Sequence, residues 1–249
     1  MSKGGTLMTV ESQWIDQIID EQHDFLMKDV ELSPKHGMPV LHSSPHDLPK
    51  RIITFTQAMS PSWINYDCWV CFYEADKKFM RFWNNPLKYL ERLQKFKGVI
   101  SPDFSLSINA DEKDQFRQFF CGRLLAAWLE QNGISVITNI RYANRYSQPF
   151  CCEGVPKHAM IAIGTNGFLR DQEFRQIIAE GVDFAIFTVE PKAVLVYGGC
   201  PNNIFGKHIQ RGINIIPYKA QIKFAHEVSE FRKKKEKIQA LDAKQGRLF

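Results

Sequence analysis

From Arg51 onward the chain alternates short apolar runs with longer amphipathic segments, and this alternation narrows the possible folds more than any other feature. The apolar runs are strand-sized: Ile52–Thr56, Trp69–Tyr73, Val99–Ser101, Ile134–Ile140, Met160–Gly164, Ala193–Tyr197 and Ile213–Pro217. Helices between them carry explicit punctuation. Asn85 is a good N-cap, Pro86 suits a first helical turn, and Gly98 follows the periodic Leu90, Leu93 and Phe96 as a stop. A second helix is expected to begin near Asn109, with Glu112 at capping-box spacing, and to run to Gly133. A third, over Leu169–Phe187, sets Phe174, Ile177, Ile178 and Phe184 on one face. Strand–helix–strand repetition of this kind predicts an α/β fold with a mostly parallel sheet of about seven strands and right-handed crossovers. It fits an incomplete (β/α) barrel or an open doubly wound sheet, and spacing alone does not choose. Tyr142 to His158 is too short for a full crossover, so an irregular excursion that could act as a lid is expected there.

Two flanking sections differ in composition. Residues 1–50 hold an amphipathic helix over Val10–Met27, with Trp14, Ile15, Ile18 and Ile19 at helical spacing. An arm with Pro34, Pro39, Pro45 and Pro49 follows, which excludes helix and disfavours sheet. The α/β core spans residues 51–218. Residues 219–249 are read as a basic C-terminal helix, with Phe224, Val228, Phe231, Ile238 and Leu241 on one stripe. The chain carries 32 basic and 27 acidic residues, a net +5, of which Arg232 to Lys237 supply +4. The basic helix is a candidate contact to phosphates or a docked helix with a solvated face. The longest apolar runs, Cys68–Tyr73 and Leu124–Leu129, fall far short of the ~20 residues of a membrane span, so a soluble protein with no membrane partner is expected. Six cysteines in a chain this long predict a reducing cytoplasm rather than a disulfide framework.

In parallel sheets, ligands bind beyond the carboxyl ends of the strands, where loops converge. Glu74 and Asp76 follow the second strand, Asp103 the third, and Asn139 and Arg141 close the fourth. Thr165, Asn166 and Gly167 follow the fifth; Gly198, Gly199 and Asn203 follow the sixth. Asp103 is the sharpest candidate, because Pro102 restrains its backbone. It could be a general base or a metal ligand, or simply a turn residue satisfied by local amides. With Asp76, and with Glu74 beside them, it could bind Mg²⁺ or Mn²⁺. Arg141 could clamp a phosphate in two-pronged fashion or neutralise the acids. The turn Gly164–Gly167 could cradle an anion at a helix N-terminus, although a tight turn needs the same glycines. Gly198-Gly199 reads similarly. Cys68 and Cys71 have zinc-knuckle spacing but would point to opposite faces of a strand. His36, His42 and His46 are expected as exposed loop residues rather than metal ligands.

Several of these stretches together resemble a known family. They are Phe82-Trp-Asn-Asn-Pro-Leu-Lys-Tyr-Leu90, Gly98-Val-Ile-Ser-Pro-Asp-Phe-Ser-Leu106, Gly133-Ile-Ser-Val-Ile-Thr-Asn-Ile-Arg-Tyr142, Ala162-Ile-Gly-Thr-Asn-Gly167, Val196-Tyr-Gly198 and Ile204-Phe-Gly-Lys207. In order and spacing they are similar to domain of unknown function family 4417, over Arg51 to Tyr218. The resemblance implies a protein of phages or other mobile elements in a bacterial host cell, and it carries no activity with it. The chain departs from the family pattern in respacing an acid pair as Glu74-Ala-Asp76 and in having Thr138 where Pro is usual. Three functions are compatible with these features. One is an enzyme on a phosphate-bearing substrate, a nucleotide or nucleic acid. The second is an accessory protein gripping DNA or a host protein through the basic helix and the arm. The third is a small-molecule binder using the same strand-edge pocket.

Overall fold

The computed structural model describes residues 10–166, 169 and 171–220. Each of the seven expected apolar runs overlaps a strand: β1 (Ile52–Thr54), β2 (Trp69–Cys71), β3 (Gly98–Ile100), β4 (Val136–Asn139), β5 (Met160–Gly164), β6 (Ala193–Tyr197) and β7 (Ile215–Tyr218). They pair in chain order, and every pairing is parallel. A doubly wound sheet would reverse its strand order at a switch point. Strictly sequential order instead rolls the sheet one way, and the result is a curled half-barrel. The barrel-like alternative is therefore the one the chain adopts.

Period-2 alternation sorts the strand side chains onto two faces. The concave face packs Ile52, Trp69, Cys71, Ile100, Ile137, Ala162 and Leu195 into one core. The convex face divides in two. Ile53, Val70, Val99 and Val136 pack under the first helices, while Ile161, Ile163, Val194 and Val196 pack under the last ones. Both faces are buried, which is why these strands read as continuous apolar runs.

The helices are α1 (Val10–Ile18), α2 (Phe55–Ala58), α3 (Asp76–Asn84), α4 (Leu87–Leu93), α5 (Glu112–Gln131), α6 (Gln148–Cys151), α7 (Gln172–Val189) and α8 (Asn202–Gln210). Several boundaries differ from expectation, and at three of them a cap is the local reason. β1 stops at Thr54 because Thr54 and Gln57 form a capping box that opens α2. α5 starts at Glu112, since Asp111, not Asn109, accepts the Asp114 amide (2.8 Å). α7 starts after Asp171, whose carboxylate takes the Glu173 and Phe174 amides. The N-terminal segment makes α1 and a separate 3₁₀ turn at Asp24–Met27 rather than one helix.

The proline-rich arm is a strap. It forms no helix, makes one antiparallel bridge between Leu32 and Pro39, and buries Met38 and Leu41. Glu153 receives the Ser33 hydroxyl and the His36 amide and ring; Glu130 receives the His42 and Ser43 amides (2.9 and 2.8 Å). The expectation of exposed histidines fails at His36, whose side chain is only 12% exposed because it pairs with Glu153. The excursion after β4 is pinned as well as irregular: Phe150, Cys151 and Cys152 are buried, and the Leu41 amide bonds the Gly154 carbonyl (2.9 Å). That anchoring argues against a free lid over residues 150–154.

Candidate functional site

The side chains at the carboxyl ends of β2, β3 and β4 form one hydrogen-bonded chain. The Tyr73 hydroxyl donates to Asn139 Oδ1 (2.8 Å), and Asn139 Nδ2 donates to Asp103 Oδ1 (2.8 Å). The other Asp103 oxygen lies 3.1 Å from the Arg141 guanidinium. The main-chain amide of Asn139 donates to the Ser101 hydroxyl oxygen (2.8 Å). Tyr73 stacks on Tyr197 of β6, with centroids 4.9 Å apart and planes at 21°. Gly164 makes that stack possible, because a Cβ there would sit 2.6 Å from the Tyr73 ring. Five strand ends thus meet at one mouth.

The Asp103 side chain is 10% exposed. Burial raises its pKa above the ordinary carboxylate value; Arg141 and Asn139 pull the other way, and the Asp76 charge adds to the rise. The net shift is upward. Burial also pushes the Tyr73 phenol well above its usual value, so it stays a hydrogen-bond donor.

Three recesses converge on Asp103 and Arg141. The first is a cleft of about 50 Å³, walled by Leu106, Ile108, Tyr142, Ile163, Phe174, Ile177 and Ile178 as well as by the polar pair. The second, about 20 Å³, lies against α5 and is bordered by Pro102, Phe119, Gly122 and Arg123. The third is the mouth, where Tyr73, Ser105 and Asn166 join them. Gly181 in α7 lets Tyr142 pack against the helix, since a Cβ there would lie 2.4 Å from Tyr142 Cβ.

The remaining candidates take other places. Asp76 accepts the Ser105 amide (3.1 Å) and hydroxyl (2.8 Å), fixing the loop after β3. Glu74 borders the mouth, but its carboxylate accepts the Thr56 amide of α2 (2.8 Å) and pairs with Lys78 (3.9 Å). Among the described residues, no three His, Cys, Asp or Glu side chains are grouped to hold a metal ion. The Thr165 hydroxyl is committed to the Gly199 carbonyl (2.7 Å), so it ties β5 to β6. Gly198, at φ +125°, lies so close to Thr165 and Asn166 that a Cβ would collide with them, and a Cβ on Gly199 would meet Leu169. These glycines serve loop-to-loop packing. Asn203 is exposed on the first turn of α8 and borders none of the three recesses. Gly167 and the basic stretch Arg232–Lys237 lie outside the described residues. Cys68 packs in a convex-face core and Cys71 in the concave one, as their spacing implies. Sequence reasoning missed Tyr73 and Arg123. Tyr73 was legible as the third concave-face residue of its run after Trp69 and Cys71, whereas Arg123 gives no signal in a helix that carries Arg117 and other charged residues as well.

The family model for the domain of unknown function DUF4417 matches residues 30–219, more than half of the chain. The chain belongs to the DUF4417 family. The DUF4417 match takes in the proline-rich arm, which the sequence resemblance did not reach. A Gene 1 protein of Mycobacterium phage L5 is 27% identical over 127 residues, 51% of this chain and 56% of that protein. A Gene 1 protein of Mycobacterium phage D29 is 25% identical over 127 residues, 51% and 47% respectively. The chain spans about half the length of these curated relatives. No solved structure matches it. No helix among the described residues is long and apolar enough to cross a membrane.

Proposed function

We propose that this DUF4417 protein is an enzyme acting on a phosphate-bearing substrate, a nucleotide or nucleic acid, at the carboxyl edge of its half-barrel. The observation that carries the reading is the Asp103–Arg141 pair, 3.1 Å apart and shared by three recesses at the strand ends. Arg141 holds the anion, and Asp103, with its raised pKa, accepts or returns the proton. Asn139 and Tyr73 orient Asp103 from the other side. The apolar wall of Ile108, Tyr142, Phe174 and Ile178 suits a flat group such as a base. Asn166 is placed at the mouth to bond an outer part of the substrate.

Thermal denaturation against a panel of nucleotides, short DNA and RNA, with and without Mg²⁺ or Mn²⁺, tests this reading. A ligand at 100 times its Kd adds ~2.7 kcal/mol, worth several degrees in a domain of this size. A shift in the wild type that disappears in Arg141→Ala supports the site. No shift with any phosphate-bearing probe overturns the reading, and a shift without turnover makes the protein a binder rather than an enzyme.

A further inference from the structure

Cys151 and Cys152 close α6 at the turn where the excursion after β4 meets the strap. Neighbours in an extended chain point their side chains to opposite sides. At this helix end the two thiols face each other instead, with their Sγ atoms 3.7 Å apart. Neither is bonded to another cysteine. The two differ in access. Cys151 is buried, whereas Cys152 lines a cleft of about 480 Å³ between Pro34, Lys35 and Val40 of the strap and Phe184 and Thr188 of α7. A small molecule in that cleft meets one thiol and has the second directly behind it.

The same turn is clamped from inside. The Arg123 guanidinium donates to the carbonyls of Cys151 and Glu153, on either side of Cys152, and a neighbouring cation favours the thiolate that attacks disulfides. Contact with Cys152, and then burial, raise the Cys151 pKa well above the usual thiol value, and Arg123 offsets this only in part. Cys151 is therefore the resolving thiol and Cys152 the attacking one. The next residue, Glu153, holds the strap through Ser33 and His36. We propose that Cys151 and Cys152 are a dithiol modification site, oxidised to a vicinal disulfide by a low-molecular-weight disulfide that enters the cleft, and that ring closure loosens the strap. This inference is independent of the reaction at Asp103. The Cys152 thiolate attacks one sulfur of the reagent and expels the other half as a thiol. Cys151 then attacks Cys152 Sγ and expels the second half, so the protein loses two electrons and two protons and the reagent becomes two thiols. The sulfurs must close from 3.7 Å to ~2.05 Å, so the turn moves and takes the Glu153 anchor with it.

Mass spectrometry tests the site directly. The full chain is incubated with oxidised glutathione, its remaining thiols are alkylated under denaturing conditions, and the tryptic peptide from Tyr146 to Lys157, which holds both cysteines and no others, is weighed. The expected result is a peptide two hydrogens lighter than the dithiol form, without alkyl groups and restored by dithiothreitol. Cys151→Ser should instead keep one glutathione on Cys152, and Cys152→Ser should stay unmodified at Cys151. In the oxidised wild type, hydrogen-exchange protection over residues 33–41 should drop about tenfold or more, while Cys152→Ser treated in the same way keeps it. A wild-type peptide alkylated at both cysteines, or carrying glutathione without ring closure, overturns the disulfide. An oxidised peptide with unchanged strap protection overturns the link to the strap. The wild-type measurements decide both points even if a variant fails to fold.

Discussion

At the scale of single residues, Gly164 shows how tightly the site is specified. Its missing side chain is the space into which Tyr73 lies, and Tyr73 holds Asn139, which holds Asp103. Gly164→Ala forces the ring away from its stack on Tyr197, at a cost of about 1–3 kcal/mol as overpacking of a filled interior. The variant should melt several degrees lower and show a changed pH dependence at Asp103; an unchanged melting temperature would show that the ring has room to spare. Tyr73→Phe is milder, removing one donor and lowering stability by ~1 kcal/mol. These contacts also mark a limit of sequence reading. An acid after a strand looks the same whether it enters a site or caps a neighbouring element. Asp103 borders three recesses, whereas Glu74 binds the first turn of α2 and Asp76 the loop at Ser105.

At the scale of elements, caps and straps decide boundaries. Asp111→Ala removes the acceptor for the Asp114 amide and should cost ~1 kcal/mol, measurable by urea unfolding; no change would mean that packing alone fixes the start of α5. The strap has a pH dependence of known sign. Burial pushes the Glu153 carboxyl up, but hydrogen bonds from Ser33 and His36 more than offset this, and its pKa ends below 4.5. A depressed folded-state pKa contributes stability that is complete above pH 4.5 and is lost as pH falls through the lower folded value. The protection factors for hydrogen exchange over residues 33–41 should therefore fall in acid in the wild type, and in Glu153→Gln they should be low already at neutral pH. Equal protection in the two proteins at neutral pH would contradict this anchoring. Elements buried on both faces, such as β5 and β6, were legible to the residue because nothing polar interrupts them. α3 was not read, since Lys77, Lys78 and Arg81 obscure the buried stripe of Phe79, Phe82 and Trp83.

At the scale of the whole molecule, the sequential strand order is what gathers the candidate residues. Rolling the sheet one way brings the ends of β2 through β6 to one mouth, so residues 36 positions apart, Asp103 and Asn139, share a hydrogen bond. Spacing in the sequence predicted the strands and their exits but not the roll, because strand order depends on which strands pair rather than on any local pattern. Arg123 remained hidden for a related reason: its partners are carbonyls of a segment some thirty residues away, brought to α5 by the fold. The central claim is that Asp103 and Arg141 work on a phosphate-bearing substrate. The most direct measurement is ³¹P nuclear magnetic resonance of a nucleotide and oligonucleotide panel incubated with the wild type, Asp103→Asn and Arg141→Ala. A new phosphorus resonance is expected with the wild type, formed at least a hundredfold more slowly by Asp103→Asn and weakly if at all by Arg141→Ala. Spectra unchanged by the wild type, or changed equally by all three proteins, would contradict the claim.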